Sequence, residues 1–256
     1  MIRTPKRWRL AVSALAAAML VLSGMGNGRK AEARSGARAV LVRSSSNRAT
    51  RPVPGGVRWF GRMHQECLKK TRKGNFNLCF LGDSITHGWP GDMFHKYFGK
   101  YKPANFGIGG DRTENVLWRL HHGELKGTSP KLIVLMIGTC NIGLGKSTNE
   151  EIAVGVATVV KTLRGMLPQT KILLLGILPG RKKAFRVRAA AINRFLAESD
   201  GKSKGMVQYM DIGSKFLTKD GEMLPGVLRD DVHLTRKGYD IWGKAIAPTV
   251  AEMMKE

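Results

Sequence analysis

The strongest constraint in this chain is the spacing of its short apolar runs. Asn77–Leu81, Ala104–Ile108, Leu132–Ile137, Ile172–Ile177 and Val207–Asp211 each have the length and composition of a strand. Between them, Thr113–His121, Asn149–Leu167 and Ala184–Glu198 have helical spacing. A last helix is expected from Thr235 to Lys255, kinked or broken at Pro248. Val57–Lys73 reads as a helix before the first strand, with Trp59, Met63, Cys67 and Leu68 on one side. Strands separated by whole helices need crossovers, so the pattern predicts a parallel sheet with helices on both faces. Leu132–Ile137 is apolar without alternation, as suits a strand covered on both sides. In such sheets the ligand site lies beyond the carboxyl ends of the strands.

The N-terminus reads differently. Arg3, Lys6, Arg7 and Arg9 precede an uncharged, mostly apolar run from Leu10 to Leu22, and Ala31-Glu32-Ala33 follows as a small-x-small site. The run is too short for a spanning helix and has the length of a signal-peptide core. Residues 1–33 are therefore expected to be a signal peptide, and the chain to be exported from a bacterial cell to the periplasm or medium. Residues 34–56 are rich in Arg, Ser, Gly and Pro and carry no acid. Having little to bury, they are expected to form a disordered basic linker, with the folded domain spanning 57–256.

The chain has 256 residues and a formal net charge of +24, of which +19 remains when the six bases and one acid of the leader are removed. That charge suits an acidic polysaccharide or an anionic surface as a partner, or general solubility. No nucleic-acid module is present, so specific nucleic-acid binding is not expected. Cys67, Cys79 and Cys140 are too few and odd in number for a disulfide framework, and no Cys/His spacing suggests a metal. Oligomeric state is not encoded in any pattern of this sequence.

Three stretches at the predicted strand ends carry chemistry. Gly82-Asp83-Ser84-Ile85-Thr86 follows the first strand. A serine at a helix start has free N–H groups and a positive dipole end beside it, which stabilise an oxyanion formed by its attack; the competing reading is a helix-capping serine. Asp230-Asp231-Val232-His233 precedes the last helix. One turn there would let Asp230 orient His233, and His233 would take the Ser84 proton. Asp231 is a rival orienter, and a helix-capping Asp/His pair is the plainer alternative. Asn105-Phe106-Gly107-Ile108-Gly109-Gly110-Asp111 follows the second strand, where a Gly110 N–H would serve as oxyanion donor or the run would be a plain tight turn. Asp111 and Thr139 would support the loops that carry this site.

Gly82-Asp83-Ser84, the Gly109-Gly110-Asp111 turn, Gly138-Thr139 and Asp230-x-x-His233-Leu234-Thr235 occur in the order of the SGNH/GDSL hydrolase blocks. Asn105 through Leu120, with Val116-Leu117-Trp118-Arg119-Leu120, resembles the catalytic subunits of platelet-activating factor acetylhydrolase and their secreted bacterial relatives. The resemblance runs from Trp59 to the C-terminus. It implies a flavodoxin-like three-layer α/β/α sandwich on a five-stranded parallel sheet. It also implies a cofactor-free serine esterase for short O-acyl esters, acetyl esters among them, of a carbohydrate or lipid. Ser84, Asp230 and His233 would be catalytic, with the Ser84 and Gly110 N–H groups in the oxyanion hole. His87, Trp89 and Asn141 are further candidates for contact with substrate, with core packing an equal alternative for Trp89.

One position departs from the family. Its third block is Gly-x-Asn-Asp or Gly-Thr-Asn-Asn, and here the run is Gly138-Thr139-Cys140-Asn141. Cys140 stands where an asparagine amide would donate to the oxyanion, and a thiol donates weakly. Three consequences are open: a slower esterase working on two backbone donors, a shifted loop that brings in Asn141, or a catalytically weak carbohydrate- or lipid-binding protein with the same fold. The complete Ser84, Asp230 and His233 set favours the first.

Overall fold

A computed structural model describes residues 47–144, 146–198 and 205–255. The expected signal peptide and most of the expected linker lie outside the described residues. The elements, in chain order, are α1 (Phe60–Lys73), β1 (Leu78–Gly82), α2 (Ser84–His87), α3 (Gly91–Phe98), β2 (Pro103–Gly107), α4 (Thr113–His121), β3 (Leu132–Met136), α5 (Thr139–Leu144), α6 (Asn149–Met166), β4 (Lys171–Leu175), α7 (Lys183–Ala197), β5 (Val207–Met210) and α8 (Arg236–Met253). The five strands form one sheet in the order β2-β1-β3-β4-β5, parallel at every pairing.

Two-residue periodicity sends the side chains of the inner strands into two separate cores. Cys79 and Leu81, Ile133 and Leu135, and Ile172 and Leu174 join α1, α4, α6 and α7 on one face. Leu78 and Phe80, Leu132 and Val134, and Leu173 and Leu175 join α3 and α8 on the other. The result is a three-layer α/β/α sandwich. β1 and β3 are buried throughout, which explains their unbroken apolar sequence. Local signals agree with the helix ends. Thr148 and Glu151 form a reciprocal capping box at α6, the threonine hydroxyl accepting from Glu151 N–H at 3.2 Å and the Glu151 carboxylate from Thr148 N–H at 2.8 Å.

Three expectations need correction. The compact unit begins at Ala49, not Val57. The Thr113 hydroxyl donates to Ala49 C=O at 2.7 Å, Val53 N–H to Glu114 C=O at 3.2 Å, and the Asn115 amide to Val53 C=O at 3.0 Å. This segment is fixed by hydrogen bonds between its main chain and both side chains and main chain of α4, so its poverty in apolar residues did not prevent order. Second, α1 starts at Phe60, leaving Trp59 as its N-cap and outside the helical face. Third, α8 runs unbroken through Pro248. Pro248 and Lys244 are both exposed, so water can satisfy the carbonyl that the proline leaves without its donor.

The strand order places the ends of β2, β1 and β3 side by side. The chain reverses its direction of winding between β1 and β3, the place where sheets of this kind bind ligands. Ser84 follows β1, Gly110 follows β2 and Cys140 follows β3.

Candidate active site

Ser84 opens α2, a single turn. The Asp83 carboxylate caps that turn by accepting from Ile85 N–H at 3.0 Å. The bend is tight enough to require glycine before it: a Cβ on Gly82 would stand 2.3 Å from both Met136 C=O and the Thr86 hydroxyl. From the same layer, the Tyr239 hydroxyl of α8 donates to Ile85 C=O at 2.8 Å and holds the turn down.

Asp230 and His233 lie on a loop closed by the antiparallel bridge Leu228–Leu234, with Arg229 N–H bonded to His233 C=O at 3.0 Å. One Asp230 oxygen accepts from Val232 N–H at 3.0 Å and His233 N–H at 2.8 Å, which folds the turn. The same carboxylate reaches His233 Nδ1 at 2.8 Å, and His233 Nε2 stands 2.9 Å from Ser84 Oγ. Desolvation works against the Asp230 charge, but the His233 and Val232 N–H groups and the imidazole outweigh it and hold the carboxyl at about 2. Asp231 takes no part; it pairs with Lys182 at 2.7 Å. Arg181 clamps this loop: Nε donates to Asp230 C=O and Nη2 to Leu228 C=O, each at 3.2 Å.

Opposite the serine is the Gly109–Asp111 loop. Gly110 has φ +88, and a Cβ there would lie 2.9 Å from Val57. Both facts exclude a side chain and leave bare backbone facing the site. Cys140 adjoins it. Burial, then Asp83 and Asp111, push its thiol well above the ordinary cysteine range, while a hydrogen bond from Gly110 N–H works the other way. The group is a neutral thiol beside the backbone donor, not a thiolate nucleophile. Cys67 and Cys79 are buried free thiols.

Two of the expected substrate contacts are corrected. Asn141 is buried: its oxygen accepts from Thr113 N–H at 3.0 Å and its nitrogen donates to Glu114 Oε2 at 2.9 Å. The amide fastens α5 to the start of α4 and has no freedom to swing toward an oxyanion. Trp89 is also buried, packed against Trp242 and Tyr239 with ring centroids 4.9 Å away in each case. It belongs to the α3/α8 core. His87 ends α2 and stays exposed on the β2 side; partial burial and Lys70 lower its pKa.

Two features escaped the sequence reading. Beneath the Gly109–Asp111 loop, fully buried Arg119 binds Asp111 at 2.8 Å, Glu124 at 2.6 Å and Phe106 C=O at 3.0 Å, and Glu124 also binds His64 at 2.7 Å. A lone arginine inside Val116-Leu117-Trp118-Arg119-Leu120 was the available signal. The other is Trp59, which donates its indole N–H to Gly109 C=O at 3.0 Å. Among the described residues no group of three or more His, Cys, Asp or Glu is arranged to hold a metal, and no helix is long and apolar enough to cross a membrane.

Asp83 gives the site a pH signature. It is fully buried; burial raises its pKa to about 6, although the Ile85 N–H and His233 pull it down. Between pH 4 and 6 the native state therefore holds more of this proton than the unfolded chain does. The stabilisation is full below the unfolded carboxyl pKa and is lost as pH rises through about 6. Melting temperature should fall over that interval, and Asp83→Asn should flatten the slope. An unchanged slope in the variant would assign it to another group.

The GDSL-like lipase/acylhydrolase family matches residues 80–241. Platelet-activating factor acetylhydrolase IB subunit alpha2 of Rattus norvegicus is 33% identical over 211 residues, covering 81% of this chain and 90% of that protein. Subunit alpha1 of Homo sapiens is 29% identical over 201 residues, covering 75% and 85%. Among solved structures, a GDSL-like lipase from Bacteroides thetaiotaomicron superimposes with a TM-score of 0.61 at 20% identity, covering 75% of this chain and 98% of that one. The chain belongs to the SGNH/GDSL family, with its fold, and is a carboxylic ester hydrolase.

Proposed function

We propose that the chain hydrolyses short O-acyl esters, acetyl esters among them, of a carbohydrate or lipid, with Ser84 as nucleophile, His233 as base and Asp230 as its orienter. The observation that carries this reading is the continuous relay from Asp230 through both imidazole nitrogens to Ser84 Oγ, with contacts of 2.8 and 2.9 Å. With Nδ1–H directed to ionised Asp230, Nε2 is left as the acceptor. It takes the hydroxyl proton as Oγ attacks the carbonyl carbon. The oxyanion is met by the Ser84 and Gly110 N–H groups. Collapse expels the alcohol, protonated by His233, and leaves an acyl-serine. Water, deprotonated by His233, then attacks, and the acid leaves as Ser84 regains its proton. The step needs no metal or organic cofactor. Export and attraction to an acidic polysaccharide or anionic surface belong to the same reading and rest on the N-terminal pattern and the charge.

The reading is tested with p-nitrophenyl acetate and a fluorophosphonate probe: turnover and labelling are both expected, and both should vanish in Ser84→Ala. Cys140 favours one alternative, a catalytically weak SGNH-fold protein that binds carbohydrate or lipid. Absence of labelling in the native chain would support that instead.

The thiol also sets a prediction of its own. Loss of one oxyanion donor costs about 10²–10³ in rate in a serine hydrolase. Cys140→Asn supplies an amide donor and should raise kcat on p-nitrophenyl acetate by about tenfold or more, approaching that range, with little change in KM. An unchanged kcat would mean that Cys140 does not occupy the donor position.

A further inference from the structure

We propose that Arg181 is a positioning residue for the reaction: it holds the loop of Asp230 and His233 where His233 Nε2 stands 2.9 Å from Ser84 Oγ. The inference rests on His233 being the base. Leu228 and Leu234, the bridged pair at the neck of that loop, are buried. Arg229, Asp230 and Asp231 at its tip are exposed. Apolar packing therefore anchors the neck and leaves the tip to polar contacts. The bonds from Asp230 to Val232 and His233 fold the turn, but both ends of each lie within it, so they do not fix where it stands relative to β1. Among the described residues, the hydrogen bonds and ion pairs from 229–233 to the rest of the chain run to Arg181, Lys182 and Ser84.

Arg181 supplies most of that attachment. It lies in the connection from β4 to α7, and β4 is two places from β1 in the sheet, so the anchor is independent of the nucleophile's turn. Its N–H donates to Asp231 C=O at 2.8 Å, Nε to Asp230 C=O and Nη2 to Leu228 C=O, both at 3.2 Å. One residue thus ties the neck and the tip together. Its own main chain is fixed in turn, since Arg186 Nη1 donates to Arg181 C=O at 2.6 Å. Gly180 permits the close approach: a Cβ there would lie 3.0 Å from Asp231 C=O. Lys182 adds one exposed ion pair to Asp231, a weak tether by comparison. A guanidinium suits the task because its rigid fork aims donors at two carbonyls at once. Misplacement of a catalytic group by about 1 Å costs about 10²-fold in rate.

The test compares the native chain, Arg181→Met, Arg181→Lys and His233→Ala on p-nitrophenyl acetate. For the native chain and the two Arg181 variants, serines that label to completion with the fluorophosphonate probe are counted. kcat is then expressed per labelled serine, so unfolded protein does not enter. Arg181→Met keeps the main-chain bond to Asp231 but loses both side-chain donors. It should lower kcat about 10²-fold, slow labelling by a similar factor, and leave KM within about twofold of the native value. Arg181→Lys keeps the charge without the fork and should recover only part of the loss; full recovery would overturn the two-carbonyl clamp. With His233→Ala inactive, an Arg181→Met chain within about twofold of native kcat overturns the role of Arg181 alone. A loss that appears in KM instead of kcat assigns Arg181 to substrate binding and overturns it too. Turnover that survives His233→Ala overturns the underlying reading and this inference with it.

Discussion

Ser84→Ala is expected to lower kcat on p-nitrophenyl acetate by about 10⁶-fold, the scale on which a serine hydrolase loses activity with its nucleophile. The geometry gives the reason. Ser84 Oγ is the atom His233 Nε2 reaches, at 2.9 Å, and alanine leaves the imidazole nothing to deprotonate. What remains is whatever the backbone donors and substrate binding supply. Asp230→Asn should cost less, about 10⁴-fold, because the base survives in the wrong tautomer. Asp230 is held at about 2 and so stays ionised across any working pH. Steady-state kinetics on the three chains decides: a Ser84→Ala chain within about tenfold of native turnover removes the relay from the mechanism. Ser84 is small and only partly buried, so loss of folding is not expected to confuse the result.

The sheet was legible because strand identity is a local property. Leu78–Gly82 and Leu132–Met136 are short, apolar and bounded by turn residues, and no tertiary partner was needed to read them. Four long helices, α4, α6, α7 and α8, were legible for the same reason. Residues 49–56 were not, since their order comes from hydrogen bonds to α4, some sixty residues away. The site divides along the same line. Asp230 and His233 are three apart and folded by their own turn, so their pairing was visible in the spacing. Asn141 and Trp89 were misassigned because nearness to the motifs in sequence says nothing about where a side chain is spent. One is consumed by the start of α4 and the other by Trp242 and Tyr239. Trp59 was assigned to a helix face because its helix was begun three residues early. Arg119 was noticed only as part of a resemblance, since its four partners come from β1, β2 and two separate loops.

Those partners make Arg119→Met the substitution expected to damage the fold most. The guanidinium has no exposure and meets two carboxylates, Asp111 at 2.8 Å and Glu124 at 2.6 Å, with Phe106 C=O at 3.0 Å and Gly82 C=O at 3.4 Å. Methionine fills much of the volume but leaves both acids buried without their cation. Breaking a buried ion pair in this way costs about 3–5 kcal/mol, a large part of an ordinary domain's stability. Lysine should not rescue it, since one ammonium cannot match a planar fork that serves four acceptors. The cost lies in the abandoned charges more than in the lost contacts. Arg119→Met with Asp111→Asn and Glu124→Gln should therefore be more stable than Arg119→Met alone, as measured by urea midpoint. A pH series gives the same answer by another route. Burial already raises Asp111 to about 7 while Arg119 pulls it down. Without Arg119 the native state should hold that proton more firmly than the unfolded chain. Arg119→Met should then gain more stability than the native chain as pH is lowered from 7 toward 5. A pH response parallel to that of the native chain would place the damage in lost packing rather than in unpaired charge. The catalytic consequence follows from position: Gly82 leads into Ser84, and Asp111 ends the loop that carries Gly110. The same buried cation therefore ties together the two stretches that lead to Ser84 and Gly110.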